Sequence, residues 1–256
     1  MKQTNVYRVT GDVSGMIDVP EAFESEYRPD IIKKAIHAAA ANGRQPYGPG
    51  RDAGMRHSVS TWGKGRGVSR VQRLKAGKKA AESPNNVSGR RAHPPRPERI
   101  WAQKINKKEL AMARKSALAT TADAEFVRSR GHDFDDAVTF PIVVEDAFQD
   151  ISTTSEVLQF FDSIGIGYDV DRAKEGTKIR AGKGKMRNRR YRTPKSILVV
   201  VSERELPVFK GAANLPGVDI ETVGTLNTSN LAPGGAAGRL TVYSQSAIAK
   251  IGEWTQ

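Results

Sequence analysis

The residues SILVVV (196–201) form the most strongly patterned stretch of the chain. Five of these six residues are apolar, so a strand formed by them would be apolar on both faces. Continuous apolar strands of this kind occur in parallel sheets that are covered on both sides. The stretch therefore predicts a buried strand of a parallel sheet.

Alternating strand and helix patterns surround this strand. Further strands are predicted at 5–9, 16–19, 139–144, 218–223 and 239–244, and 16–19 could pair with 5–9. Helices are predicted at 29–42, 106–131, 153–165 and 244–254. Pro29 suits a first helical turn, Asn106 with Glu109 resembles a capping box, and Thr153 with Glu156 forms a second cap. This alternation predicts an α/β fold with a Rossmann-like, mostly parallel sheet flanked by helices.

The positive charge of the chain is concentrated in two segments. The net charge is +13, with 41 basic and 28 acidic residues. The first basic segment (44–99) holds fourteen basic residues against Asp52, Glu82 and Glu98, a net charge of +11. The second basic segment (174–195) holds ten basic residues against Glu175, a net charge of +9. The remainder then carries −7, which indicates a mildly acidic body with two basic appendages.

The first basic segment lies between two predicted helices and is too long for an ordinary connection. Nine glycines and six prolines occur between Gly43 and Arg99, and residues 56–79 show neither a strand nor a helix period. A segment without a core to fill is disordered unless a partner outside the chain orders it. We therefore predict a globular α/β domain (1–43 and 100–256), an extended basic loop inserted into it (44–99), and a second basic loop within the domain (174–195).

Motifs for catalysis, nucleotides or metals are incomplete. GKGRG (63–67) and GKGK (182–185) lack the spacing of a phosphate-binding loop, and the chain has no cysteine. The four histidines form no metal pair: His37 is expected on a helix surface, His57 and His93 in the basic loop, and HDFDD (132–136) in a solvated turn. We predict no catalytic residue, no metal site and no cofactor. The alternative is an RNA-modifying enzyme with an α/β cofactor domain and basic RNA-binding loops.

The composition of the first basic segment favours nucleic acid over a membrane as its partner. Arginine outnumbers lysine ten to four, and arginine makes bidentate phosphate contacts and stacks on bases. Tyr47 and Trp62 lie among these arginines, where an aromatic ring can stack on an unpaired base. No apolar helical face accompanies the charge, which disfavours a membrane surface. The start of the chain has no apolar targeting stretch, so a cytoplasmic location is expected.

Five segments resemble ribosomal protein family L-four, the fourth protein of the large subunit, in its archaeal and eukaryotic form. They are STWGKGRGVSRVQR (60–73), SGRRAHPP (88–95), ELAMARKSALATTADAEFVRSRGH (109–132), IRAGKGKMRNRRYRTPKSILVV (179–200) and NLAPGGAAGRLTVYSQSA (230–247). The resemblance covers essentially the whole chain and implies a structural, non-enzymatic constituent of the large ribosomal subunit. It also implies that the extended loop reaches through the large rRNA and lines part of the peptide exit tunnel.

The resemblance implies roles for the tip and the bases of the first basic segment, and the charge of both segments predicts further rRNA contacts. The expected rRNA-binding residues are Arg44, Arg51, Arg56, Lys64, Arg66, Arg70, Arg73, Arg90, Arg91, Arg96, Arg99, Lys183, Lys185, Arg187, Arg189, Arg190 and Arg192. The expected tunnel tip lies at 60–73, with Ser60, Trp62, Gly63, Lys64, Gly65 and Arg66 at its centre. The implied partners are large-subunit rRNA, neighbouring ribosomal proteins including one that shares the tunnel narrowing, and the nascent peptide in passing.

Overall fold

A computed structural model describes residues 2–254. The chain divides into two compact units. One is Ala40–Gln103, which we call the loop unit, and the other, the body, comprises the chain on either side of it. The boundaries predicted at 44 and 99 fall inside Ala40–Gln103.

The secondary structure consists of short strands and helices. The strands are β1 (Gln3–Tyr7), β2 (Val13–Asp18), β3 (Val59–Ser60), β4 (Arg73–Leu74), β5 (Ile142–Val144), β6 (Lys178–Ile179), β7 (Tyr191–Arg192), β8 (Leu198–Val201), β9 (Asp219–Thr222) and β10 (Thr241–Ser244). The α-helices are α1 (Pro29–Asn42), α2 (Lys107–Ala119), α3 (Ala124–Ser129), α4 (Thr154–Ser163), α5 (Gly167–Glu175), α6 (Val208–Ala212), α7 (Thr228–Leu231) and α8 (Gln245–Glu253). Short 3-10 turns occur at 21–24, 120–122, 146–150, 182–187 and 233–235.

The body contains a six-stranded sheet in the order β2-β1-β5-β10-β8-β9. All neighbouring pairs are parallel except β1 and β2, which are antiparallel and confirm the predicted pairing of 5–9 with 16–19. The mostly parallel α/β sheet is therefore confirmed. Counted along the chain, the five parallel strands follow the spatial order 1-2-5-3-4, which differs from the 3-2-1-4-5-6 order of dinucleotide-binding folds.

Helices cover both faces of the sheet. Val199 and Val201 of β8 face one apolar core, which contains Phe160 of α4. Leu198 and Val200 face the other core, which contains Ile248 of α8. Each residue of the stretch 196–201 is at most 1% exposed. The prediction of a strand buried on both faces is thus confirmed.

The helix predicted at 106–131 is wrong as a single helix, because it breaks after Ala119. The side chain of Asp123 accepts a hydrogen bond from the Glu125 amide and starts a new helix, α3. Asn106 does cap α2, since its side chain accepts from the Lys108 amide. The capping box is not completed as predicted, because the Glu109 carboxylate accepts from Lys34 Nζ at 2.7 Å instead.

Other predicted elements differ at their boundaries. The strand predicted at 139–144 begins only at Ile142, because Pro141 has no amide hydrogen and the Thr139 amide donates to the Tyr7 hydroxyl. Helix α1 has its predicted bounds, and Ile31, Ile32, Ala35 and Ala38 form its buried face. The pattern missed α5 and α6, which have nine and five residues. Within residues 2–254, no helix is long and apolar enough to cross a bilayer.

Candidate nucleic-acid interface

The predicted tip of the first basic segment is the connection of a small hairpin. Val59 pairs with Leu74 and Ser60 with Arg73, so β3 and β4 hold residues 61–72 between them. This corrects the expectation that 56–79 contains no strand. Gly63, Gly65 and Gly67 have positive φ, and no atom outside their chain neighbours lies within 4 Å of a Cβ built on them. The hairpin therefore presents an open, exposed turn.

Arg73 differs from the other basic residues of the tip because its side chain is used within the hairpin. Its Nη1 donates to the Lys78 carbonyl at 2.6 Å, and its guanidinium lies 5.2 Å from the centre of the Trp62 ring. Trp62 nevertheless remains 38% exposed. Lys64 and Arg66 are exposed on the same turn. Arg73 thus positions Trp62, while Lys64 and Arg66 are available to a partner.

Arginines from both halves of the segment surround a cavity of about 440 Å³. Four of them line it: Arg51, Arg90, Arg91 and Arg96. The two halves approach closely here, because a Cβ added at Gly54 would lie 2.6 Å from the Arg90 Cα. The structure thus brings together side chains that are about forty residues apart in sequence. We call these four arginines the stem arginines.

An aromatic cluster organises the end of the loop unit that precedes the body. The guanidinium carbons of Arg44 and Arg99 each lie 4.3 Å from the centre of the Trp101 ring. The Tyr47 ring stacks on Trp101 with a centroid distance of 6.1 Å and an interplanar angle of 14°. Sequence reasoning missed Trp101 because it lies just outside the charged run, although a tryptophan two residues after Arg99 was a usable signal.

The charge of the first basic segment is not neutralised within the chain. Thirteen of its fourteen basic residues are exposed, and Arg73 is half-buried. Among residues 2–254, no ion pair involves a residue of the segment; the ion pairs found are all in the body. Lysines and arginines of the segment repel one another, so they can lie close together only when an anionic partner neutralises their charge.

The second basic segment forms a separate hairpin on the body. Lys178 pairs with Arg192 and Ile179 with Tyr191, so β6 and β7 frame a 3-10 turn at Gly182–Arg187. Asn188 follows in the left-handed region, with φ of 57°. The six predicted site residues of this hairpin are all exposed: Lys183, Lys185, Arg187, Arg189, Arg190 and Arg192. The structure thus assembles them on one projecting element, which also presents the Tyr191 ring.

A buried polar network replaces the solvated turn expected at HDFDD (132–136). His132 is 7% exposed, and its Nδ1 lies 3.0 Å from Asp169 Oδ2. Asp169 also accepts hydrogen bonds from Arg172 Nε and Ser196 Oγ. Burial alone would raise the pKa of Asp169, but hydrogen bonds from His132, Arg172 and Ser196 outweigh burial and lower the pKa to about 2. The solvated-turn interpretation is therefore wrong for His132.

This network does not have the geometry of a catalytic triad. The Ser196 hydroxyl donates to Asp169 and not to the histidine, and His132 Nε2 is buried without a hydrogen-bond partner. A nucleophilic serine must instead hydrogen-bond the imidazole. Burial lowers the pKa of His132 more than Asp169 raises it, so we assign a neutral imidazole whose Nδ1–H donates to the carboxylate. The network thus fixes α5 against the start of β8.

A fully buried arginine connects neighbouring strands of the body. Arg239 precedes β10, and its guanidinium donates to the carbonyls of Ser196, Gly217 and Asn230 at 2.9 to 3.3 Å. It also pairs with Asp219 at 2.7 Å. This arginine acts within the fold, in contrast to the exposed arginines of the basic segments. In the part of the chain that the structure describes, no three acidic or histidine side chains are grouped to hold a metal ion.

Sequence comparison agrees with this arrangement of a patterned body and basic appendages. The model of the Ribosomal protein L4/L1 family matches residues 17–254. A match of this extent identifies a ribosomal protein. The chain belongs to the Ribosomal protein L4/L1 family, and the predicted resemblance to this family is confirmed.

Archaeal relatives match along nearly their whole length. Over 252 residues the chain is 48% identical to "Large ribosomal subunit protein uL4" of Archaeoglobus fulgidus, covering 98% of the chain and 99% of the relative. The proteins of the same name from Methanococcoides burtonii and Methanosphaera stadtmanae are 48% identical over 251 residues and 45% identical over 256 residues. These alignments cover 98% and 100% of the chain and 98% of each relative. Membership of this family confirms the prediction of a non-enzymatic ribosomal protein and agrees with the expected cytoplasmic location.

Proposed function

We propose that the protein is a structural constituent of the large ribosomal subunit that binds large-subunit rRNA through its two basic segments. The observation that carries this proposal is the exposed, unpaired charge of the first basic segment, +11 over residues that include thirteen exposed lysines and arginines. Phosphates neutralise such charge and release counterions when they bind it. The names of the archaeal relatives support the assignment to the large subunit.

We further propose that the stem and the tip of the first basic segment have different partners. The stem arginines surround a concave site, where each guanidinium can approach a phosphate away from bulk water. The tip is an open turn in which no atom outside the chain neighbours lies within 4 Å of a Cβ built on Gly63, Gly65 or Gly67, and such a turn suits the wall of a narrow passage. In this proposal residues 60–73 line part of the peptide exit tunnel and contact the nascent peptide and the neighbouring protein at its narrowing.

The rival function, an RNA-modifying enzyme with a cofactor in the α/β body, has less support. The strand order differs from that of dinucleotide-binding sheets, and His132 and Ser196 each hydrogen-bond Asp169 and not each other, so they do not form a nucleophile and base. Family membership also favours the structural role.

Salt dependence of rRNA binding tests the contribution of the second basic segment. Each phosphate contact contributes about 0.7 to 0.9 to the slope of log K against log salt concentration. Replacing Arg187, Arg189, Arg190 and Arg192 with Ala should flatten this slope by about 3 units and weaken binding to a large-subunit rRNA fragment. A control with Lys33, Lys107, Lys108 and Lys210 replaced by Ala loses the same charge from exposed body positions and should keep the slope. Equal slopes for both variants would contradict the proposal.

Subunit assembly distinguishes the stem from the tip. A stem variant in which three stem arginines, Arg90, Arg91 and Arg96, and the adjoining Arg99 are replaced with Ala should show reduced incorporation into large subunits on sucrose gradients, because the concave stem lets arginines approach phosphates away from bulk solvent. Replacing Lys64 and Arg66 with Ala should leave incorporation unchanged, because charge at a water-filled passage is screened within about 8 Å at physiological salt. The tip variant should instead alter translation of a peptide sensitive to the tunnel wall. Normal assembly of the stem variant together with failed assembly of the tip variant would show that the tip is placed wrongly.

A further inference from the structure

The body has a groove of about 800 Å³ that neither basic segment contributes to. Aromatic and aliphatic side chains line its floor and walls: Phe23, Tyr27, Phe126, Val138 and Phe140. The Tyr27 and Phe126 rings meet edge to face, with centroids 4.8 Å apart, and Tyr27 is 37% exposed. We call this feature the aromatic groove.

The rim of the aromatic groove is acidic. Glu24, Asp123 and Glu125 line it, against Lys2 as the single basic residue among the lining residues in 2–254. All three acidic residues are exposed, and the carboxylates of Glu24 and Glu125 have no hydrogen-bond or ion-pair partner among the described residues. The chain segment 18–30, which supplies one wall, carries five acidic residues and one arginine. The groove is therefore negative in a protein whose net charge is +13.

This combination of charge and apolar surface is unsuited to RNA. A phosphate backbone would be repelled by the unpaired carboxylates, so the rRNA proposed for the basic segments does not fit here. Exposed aromatic faces attract guanidinium and ammonium groups, and nearby carboxylates strengthen that attraction. Aliphatic stems of lysine and arginine can also pack on an apolar floor while their charged ends reach an acidic rim.

We propose that the aromatic groove binds an extended, lysine- and arginine-rich segment of a neighbouring protein in the large subunit. Charge complementarity selects this occupant: proteins that neutralise rRNA carry basic segments, and such a segment matches the rim in charge and the rings in chemistry. The inference rests on the proposed membership of the large subunit, but it does not depend on where the first basic segment lies. It assigns the acidic side of the protein to protein contacts and the two basic segments to rRNA.

Site-specific photocrosslinking in assembled large subunits tests this inference. A benzophenone amino acid at Tyr27 should crosslink to a peptide of another protein that is rich in lysine and arginine, identified by mass spectrometry. The same probe at Tyr191, which is 60% exposed on the second basic segment, should crosslink to rRNA. An rRNA crosslink from Tyr27, or none, would overturn the groove proposal. A missing rRNA crosslink from Tyr191 would instead count against the proposed function, so the two failures are distinguishable.

Charge reversal provides a second measurement on the same subunits. Adding Glu24→Lys and Glu125→Lys to the Tyr27 probe should reduce the protein crosslink at least about fivefold, because like charges then face each other. The control Asp171→Lys with Glu205→Lys changes the charge by the same amount at two exposed body positions outside the groove and should keep the yield. Comparable gradient profiles for the variants would show that assembly is intact. An undiminished crosslink in the double variant would exclude recognition of a basic segment by the acidic rim.

Discussion

Arginine has opposite surroundings in the body and in the first basic segment. Arg239 in the body is fully buried and satisfied by backbone carbonyls and by Asp219. Arg90 and Arg91 are exposed and have no acidic partner among the described residues. A buried charge is tolerated only when it is paired and hydrogen-bonded, whereas an exposed unpaired charge costs little until it is brought close to others of its sign. The body therefore contains its own counterions, and the first basic segment depends on those of a partner.

The body and the loop unit also differ in how much buried, regular structure they contain. Strands β5 and β8 are fully buried between two helical layers. The loop unit has two strands of only two residues each and few buried side chains. Burial of apolar surface offsets the entropy of ordering a chain, so we expect the body to fold alone and the first basic segment to gain most of its order from the rRNA proposed as its partner.

Hydrogen exchange of the free protein should show the largest difference between the two regions. Amides of β5 and β8 should be protected by about 1,000-fold or more, because they open only with the global unfolding of the body. Amides between 48 and 97 should exchange within about tenfold of their intrinsic rates. Mass spectrometry of peptides at several exchange times measures both. Strong protection of 48–97 without rRNA would contradict the proposal that this segment orders on binding.

Methionine substitutions test whether the buried Arg239 stabilises the fold and the exposed Arg66 does not. Arg239→Met should lower the free energy of unfolding by about 3 kcal/mol or more, because buried carbonyls lose the guanidinium that donates to them and Asp219 keeps only Lys195 as its cationic partner. Arg66→Met should change that free energy by less than about 0.5 kcal/mol, since the side chain is exposed. Urea unfolding followed by circular dichroism gives both values. Similar losses for the two variants would remove the distinction between structural and binding arginines.

Acid should destabilise the body through the buried network. The pKa of His132 lies below its ordinary value of 6.5, and the pKa of Asp169 is about 2 against an ordinary 3.8. As the pH falls, each group therefore takes up its proton at a higher pH in the unfolded chain than in the folded protein, which favours unfolding. The free energy of unfolding should decrease below about pH 6.5 because of His132 and again between about pH 4 and pH 2 because of Asp169. The Asp169 contribution is about 2 kcal/mol.

Urea titrations from pH 7 to pH 2 measure this loss. Asp169→Asn should lower stability at pH 7 and flatten the decline below pH 4, whereas Asp171→Asn, at an exposed position of the same helix, should retain the decline. An unaltered decline in Asp169→Asn would mean that another carboxylate causes it.

The smallest predicted effect concerns the aromatic cluster of the loop unit. Trp101→Ala should weaken binding to an rRNA fragment by roughly threefold to tenfold, because Arg44 and Arg99 lose the ring that positions them. The salt slope should stay constant, since no charge is removed. Trp101→Phe should retain part of the affinity because a smaller ring still attracts the guanidinium groups. A flattened slope in Trp101→Ala would indicate that the arginines no longer reach phosphates at all.

The sequence predicts those strands and helices that are specified by neighbouring residues, such as an apolar run or a helix cap. The stretch 196–201 is apolar on both faces, and helices 29–42 and 153–165 have Pro29 and the cap of Thr153, so each was identified. The two basic segments were identified for the same reason, because charge density is visible without a fold. Their exposure in the structure agrees with that interpretation.

Features that depend on tertiary contacts were not predictable in this way. Asp123 interrupts a continuous helical pattern because its side chain caps a new turn, and nothing in the pattern favours the cap over continuation. His132 lies among four charged or polar neighbours in sequence, yet its burial depends on Asp169 and Ser196, which are 37 and 64 residues away. Trp101 has a role only because Arg44 approaches it from the other end of the loop unit.

The Gln103 amide donates a hydrogen bond to Asn42 Oδ1 at 2.9 Å. It joins the two ends of an inserted segment, so residues between them form a cassette with adjacent entry and exit points. Doubling the length of a flexible loop adds only about 0.6 kcal/mol to the cost of closing it. Residues can therefore be added to or removed from this segment with little effect on the body, and a short linker from 42 to 103 is a practical design for producing the body alone.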